Sequence, residues 1–523
     1  MISRPYRRVI VMTGTAICLS SAGPAARLQP PGQTTAAAHR ECGSMATLRL
    51  PDVRITEAVE NAPNRSPTAD VHVAHCRITG TIGREIHFAV LLPDAWNGRF
   101  MMGGGGGYVG TIQNSALASV DRGYATAGTD TGHQSLGTSA RWALDNVERQ
   151  LNFAYLGIHR TAETAKAIIR AYYEGDSRYS YFVGCSTGGR QALMEAQRFP
   201  EDFDGIVSGA PVYDWTRALA NGLKLAQAMF PDSHTLDHSV VTPENLKLLD
   251  AKALDACDAA DGAADGVIDD PNTCRFDLAK IPACANDVAG PDCLTGAQRA
   301  AIARVYAPLE DAQGLIYEGQ PVGGEAAGGG WRPWITGIND QLMKLGGVPS
   351  LSFGFSTEYF RNFVFADPSW DYTTYDIARN WRRDTRQSAI MLNADNPDLS
   401  ALKARHGRLL LWHGWADPAL NPRATIRYLM DVRRKDSESE SYVQLFLLPG
   451  VLHCGGGNGP DRVDWMSAIA DWVEKDAAPT RLIATKQSAA GDVLRTRPVC
   501  PYPQHAVYSG SGSTDEAASF VCR

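Results

Sequence analysis

The sequence predicts an α/β fold built on a mostly parallel sheet, on two observations. Short apolar runs bounded by Gly, Pro or charge alternate with helical patterns, the order that buries strands beneath crossover helices. One of those runs leads through Gly184-Cys185-Ser186-Thr187-Gly188 straight into a helical pattern, a strand–turn–helix join that exposes a serine at the edge of such a sheet.

The expected strands are His87 to Leu92, Phe100 to Met102, Tyr124 to Gly128, Tyr181 to Gly184, Gly205 to Ser208, Leu409 to His413 and Val443 to Leu448. Helical spacing marks Ala162 to Tyr173 and Arg190 to Arg198 between them. After Pro211 the texture changes: Trp331, Trp334, Trp370 and Trp381 appear beside acidic Gly/Ala-rich sequence. At 523 residues the chain exceeds what one core usually supports. We therefore expect a catalytic domain in two parts, 27–212 and 399–523, interrupted by a lid domain at 213–398.

Arg4, Arg7 and Arg8 precede the apolar run Val9 to Leu19, and small residues follow to Ala26. That pattern reads as an export signal over 1–26, with a buried N-terminal helix as the alternative. The run is too short to span a bilayer. A net charge of -7 with 44% hydrophobic and 20% charged residues describes a globular protein without a basic face for nucleic acid. No membrane or nucleic-acid partner is expected. Of 11 cysteines, Cys18 falls in the leader, which leaves ten, an even number that favours disulfides in an exported chain. Spacing suggests Cys42 with Cys76, Cys257 with Cys274, Cys284 with Cys293 and Cys500 with Cys522. A thiol or zinc site is the rival reading, weakened by the absence of any Cys-x-x-Cys pair.

The chemistry resides in three segments. Glycines at 184 and 188 relieve crowding at a sharp turn carrying Ser186, and the helix that follows offers free N–H groups to an oxyanion. In an α/β-hydrolase arrangement the acid and base follow the serine in that order. Asp417 lies just past the strand ending at His413, and His453 just past the strand ending at Leu448. If His453 reaches Ser186, the neighbouring Cys454 and Cys185 come within disulfide range. His413 is expected one layer behind the reacting groups, and His133 on a pocket wall. The glycines 103–107 follow a strand but lack the Lys-Ser/Thr of a phosphate loop. Gly107 and the N–H of Thr187 are therefore the expected oxyanion donors. Asp258, Asp261 and Asp265 crowd one Gly-rich turn, which reads equally as a hard-cation site or as a solvated acidic turn.

The assembled pieces resemble the tannase and feruloyl esterase family of secreted α/β-hydrolases, which also holds the mono(2-hydroxyethyl) terephthalate hydrolases. Shared segments run from Trp96-Asn97-Gly98-Arg99-Phe100 and the glycine run, through Gly184 to Arg190, Arg198-Phe199-Pro200 and Asp204-Gly205-Ile206-Val207, to Arg497-Pro498-Val499-Cys500-Pro501-Tyr502-Pro503. The resemblance implies a triad of Ser186, Asp417 and His453, a Cys185–Cys454 bond and an oxyanion donor at Gly107. It also implies Ca²⁺ held by Asp258, Asp261 and Asp265 with the carbonyls of Ala263 and Val267. Terephthalate-ester hydrolases read a free carboxylate with a lid arginine, and the similar stretch Gly354 to Tyr359 offers Glu358 instead. A carboxylate there repels such a substrate. The expected activity is a secreted serine esterase on hydroxycinnamic esters. Gallate esters, a terephthalate monoester, or a non-catalytic exported binding role are the alternatives.

Overall fold

A computed structural model describes residues 38–66, 68–337 and 347–523; the leader read at 1–26, with its cleavage site, lies outside them. Nine strands form the central sheet: β1 (Val53–Asn61), β2 (His75–Ile82), β3 (Ile86–Pro93), β4 (Arg99–Gly103), β5 (Ala125–Thr129), β6 (Tyr179–Cys185), β7 (Gly205–Gly209), β10 (Arg408–Gly414) and β11 (Val443–Leu448). A short hairpin of β8 (Leu309–Asp311) and β9 (Gly314–Tyr317) stands apart. The sheet order is β1-β2-β3-β5-β4-β6-β7-β10-β11. Pairs from β5 through β4, β6, β7 and β10 to β11 are parallel, and β1, β2 and β3 add antiparallel pairs.

Every strand expected from the sequence is present. β7 is buried at all five positions and β10 at all but Arg408, as strands covered on both faces must be. Helices Gly157–Tyr173 and Thr187–Arg198 supply the expected crossovers. The edge strand β1 and its neighbour β2 are additions to the sequence reading. β1 mixes half-buried and exposed positions, with Arg54, Glu57 and Glu60 exposed, a pattern too polar to stand out as a core strand. The Cys42–Cys76 bond anchors β2 to the preceding turn.

Residues 213–398 contribute no strand to the central sheet among the described residues; their helices include Trp215–Met229 and Leu351–Tyr359, with the β8/β9 hairpin. Asp214 opens the first of these by accepting the N–H of Arg217, and Ser350 caps the second through Phe353. At the C-terminal end, β12 (Leu482–Gln487) pairs with β13 (Val493–Val499), and β14 (Ala506–Tyr508) with β15 (Phe520–Cys522). All four local disulfides form as spaced, with Cα separations of 5.6, 5.1, 4.9 and 5.8 Å.

Candidate active site

Ser186 sits between β6 and its helix with φ 64° and ψ −120°. A non-glycine residue held there is strained, and its surroundings hold it in place. Its N–H donates to the Gly209 carbonyl at 3.0 Å, and its carbonyl accepts from Arg190 and Val212. Gly184 is obligatory at this turn, because a Cβ there would meet the Gly188 backbone at 2.5 Å. The strained turn thereby lifts the hydroxyl out of the sheet edge.

Asp417 follows β10 on a buried loop and His453 follows β11. His453 Nδ1 lies 2.8 Å from Asp417 Oδ2. Asp417 Oδ1 accepts the N–H groups of Ala419 and Leu420 at 2.8 and 2.9 Å. His413 Nε2 approaches the same Oδ2 at 3.1 Å and the Leu420 carbonyl at 3.1 Å. Both neighbours are acceptors, so Nε2 carries the proton, and Nδ1 is left to accept from the Thr425 hydroxyl at 2.8 Å. Burial alone would raise the Asp417 carboxyl; His453 and His413 outweigh it and hold the group far below the usual range. The acid therefore stays a carboxylate and fixes the imidazole with Nε2 free to face the serine.

The Cys185–Cys454 bond forms with Cα atoms 5.9 Å apart. It joins the residue before Ser186 to the residue after His453 across 269 positions of sequence. The side chains of Ser186 and His453 border one cavity. The serine hydroxyl makes no hydrogen bond to the imidazole among the described contacts, and such bonds commonly tighten only when substrate binds.

Gly107 and Thr187 border the same cavity. Thr187 Oγ1 donates to the Gly107 carbonyl at 2.6 Å, so the glycine loop and the helix start are tied together. Gly105 N–H donates to Gln191 at 3.1 Å and Gly106 N–H to Gln113 at 2.7 Å. Those two glutamines are site-shaping residues that sequence reasoning missed, since neither stands in a motif. Thr187 is the first residue of its helix, where the N–H has no partner within the helix.

The rest of the cavity comes largely from residues 213–398. Trp215, Ala218, Leu219 and Gly222 occupy one face of their helix, and Trp334 and Phe355 close the opposite side. Trp334 stands edge-on to His453 with ring centroids 4.8 Å apart. No Lys, Arg, Asp or Glu is among the described residues that line it. Two expectations need correction. His133 does not line the cavity: it is buried behind it, stacked on Trp142 at 3.6 Å with Nε2 2.9 Å from the Tyr108 carbonyl. Burial pushes its imidazole down to about 4, so it is neutral and Nε2 donates to that carbonyl. Glu358 also faces elsewhere, accepting from the Ala140 and Asn362 N–H groups at 3.1 and 3.3 Å. Its charge is engaged by the fold and does not confront a substrate. Of the four tryptophans singled out in the insertion, only Trp334 borders the cavity.

The acidic turn is ordered by its own backbone. Asp258 accepts the N–H groups of Asp265, Gly266 and Val267 at 3.2, 3.0 and 3.1 Å, and Asp261 accepts those of Ala263 and Asp269 at 2.8 and 3.3 Å. Arg497 pairs with Asp265 at 2.5 Å and Asp269 at 3.2 Å, and Arg495 lies 3.8 Å from Asp265. Burial raises Asp269 to about 7 despite Arg497, and raises Asp261 as well. Asp265 and Asp269 thus share two guanidinium groups while Asp258 and Asp261 accept backbone N–H groups, and the four carboxylates leave the turn rich in the hard oxygen donors that Ca²⁺ prefers. Their oxygens do not gather tightly: among the described residues the set of ligating side chains within 4.8 Å is His159, Glu195 and Asp202. The turn abuts the histidine loop, with Asn458 donating to the Gly266 carbonyl at 3.3 Å.

A family profile described as "Tannase and feruloyl esterase" matches residues 71–523. A protein of Arthroderma benhamiae named "Probable feruloyl esterase" is 34% identical over 82% of this chain and 81% of its own. "Mono(2-hydroxyethyl) terephthalate hydrolase" of Piscinibacter sakaiensis is 33% identical over 86% of this chain and 84% of its own. The crystal structure of feruloyl esterase B from Aspergillus oryzae superposes with a TM-score of 0.81 at 26% identity, covering 92% of this chain and 99% of that one.

Proposed function

The chain belongs to the tannase and feruloyl esterase family of carboxylic ester hydrolases, and from that premise we propose that it cleaves esters of hydroxycinnamic acids by a serine mechanism. Ser186 Oγ attacks the ester carbonyl while His453 Nε2 takes its proton and returns it to the leaving alcohol. Water, activated by the same imidazole, then releases the acid. Asp417 holds the tautomer, and the N–H groups of Gly107 and Thr187 receive the oxyanion. The observation that carries this reading is the convergence of Ser186, the Asp417–His453 pair and the tied Gly107–Thr187 edge on one cavity.

The cavity's aromatic, uncharged lining favours a neutral aromatic acyl group over a terephthalate monoester, whose free carboxylate needs a cation. Gallate esters are the second reading, since their acyl group is also a neutral phenol. We propose further that residues 213–398 act as a lid over the sheet edge. The chain is exported, a reading supported by five disulfides and by the basic-apolar leader. No described helix is long and apolar enough to cross a membrane. Asp258, Asp261 and Asp265 would hold Ca²⁺ with the carbonyls of Ala263 and Val267, and a bound ion would supply positive charge to the acidic turn.

Steady-state rates on methyl ferulate, methyl gallate and mono(2-hydroxyethyl) terephthalate test the assignment. The highest kcat/KM is expected on methyl ferulate. A higher value on either other ester moves the substrate class, and no hydrolysis of any of them contradicts the esterase reading.

A further inference from the structure

Two residues of the cavity wall carry buried hydrogen-bonding groups that no described residue uses. Ser356 Oγ and Trp215 Nε1 have no partner among the described residues, and their residues are 0% and 2% exposed. A buried polar group left unpaired costs on the order of 1–3 kcal/mol. Helical serines commonly relieve this by bonding the carbonyl four residues back. Thr357, the next residue, does so through Phe353 at 2.8 Å; Ser356 does not.

Both residues line the cavity that Ser186 borders. Trp215, Ala218, Leu219 and Gly222 recur at helical spacing and form one wall. The Ser356 hydroxyl lies against that wall at Gly222, where a Cβ would collide with it. Gly222 is two turns, about 10 Å, along the helix from Trp215. The helix begins close to the nucleophile, since Val212 donates its N–H to the Ser186 carbonyl at 3.3 Å. Ser356 therefore marks the end of the wall remote from the reacting carbon, and Trp215 the nearer part.

We infer that Ser356 is a specificity-determining residue whose hydroxyl hydrogen-bonds the phenolic oxygen at the far end of the acyl ring, with the Trp215 N–H as a second polar contact on the same wall. The inference rests on the esterase reading above and deepens it. A hydroxyl can donate to or accept from a phenol, whereas a plain phenyl ring leaves it unpaired. Sites built this way reject the analogue that lacks the hydroxyl.

The test is the ratio of kcat/KM on methyl 4-hydroxycinnamate to that on methyl cinnamate, for the wild type, Ser356→Ala and Trp215→Phe. A drop of about tenfold in that ratio is expected for Ser356→Ala, and a smaller drop for Trp215→Phe, which keeps the ring and removes only the N–H. A structural defect would slow both esters together and leave the ratio in place. If Ser356→Ala misfolds, Ser356→Cys provides the same ratio with a weak donor. A ratio unchanged within about twofold in the serine variant overturns the inference while the esterase reading stands. Failure of the wild type to cleave either ester defeats the esterase reading itself.

Discussion

At Ser186 the backbone itself is the device: a φ of 64° is held by hydrogen bonds to Gly209, Val212 and Arg190, and a disulfide binds the preceding residue to the histidine loop. At Trp334 and Phe355 the cavity is shaped by side chains, brought in by a segment whose described residues add no strand to the sheet. The first region fixes reacting atoms to a rigid edge; the second can change its side chains without moving them. Reactivity and specificity thus reside on different parts of the chain, and perturbing each should have a different kinetic signature.

The largest effect is expected from Ser186→Ala, with kcat falling by about 10⁶-fold while the thermal midpoint stays near that of the wild type. An intact rate would show that the strained turn serves another purpose. Asp417→Asn should reduce kcat by about 10⁴-fold by presenting the wrong imidazole tautomer, with KM little changed. Replacing both Cys185 and Cys454 by serine should cost about 2–4 kcal/mol of stability in denaturant unfolding and lower kcat by up to about 100-fold through misplacement. Unchanged kinetics would mean that the loops hold register without the bond. Phe355→Ala, on the other side of the comparison, should raise KM several-fold with a modest change in kcat, reflecting lost packing of about 1 kcal/mol. The smallest effect is expected from chelation: EGTA should lower the thermal midpoint by a few degrees, and a constant midpoint would argue against an ion in the Asp258 turn.

The two regions also differ in how legible they were. Each strand of the parallel half could be read because burial on both faces leaves an unbroken apolar run, as in Leu409 to Trp412. Ser186, Asp417 and His453 could be read because each follows such a run in a fixed order. β1 escaped because this edge strand carries only a half-buried stripe and no fully buried position. The cavity wall escaped for a different reason. Trp334, Trp370 and Trp381 are alike in sequence, yet Trp370 stacks on Phe360 at 5.4 Å and Trp381 packs under Arg382, contacts decided by long-range packing. His133 and Glu358 were misplaced for the same reason: both are polar residues near the site whose partners, Tyr108 and Ala140, are fixed only by the folded chain.

The most direct test of the central claim, that Ser186 is the nucleophile of this cavity, is covalent capture. Intact protein treated with a fluorophosphonate and then mapped by peptide mass spectrometry should carry one adduct, on Ser186, and Ser186→Ala should carry none. An unlabelled wild type, or an adduct on another residue that persists in Ser186→Ala, would contradict the account.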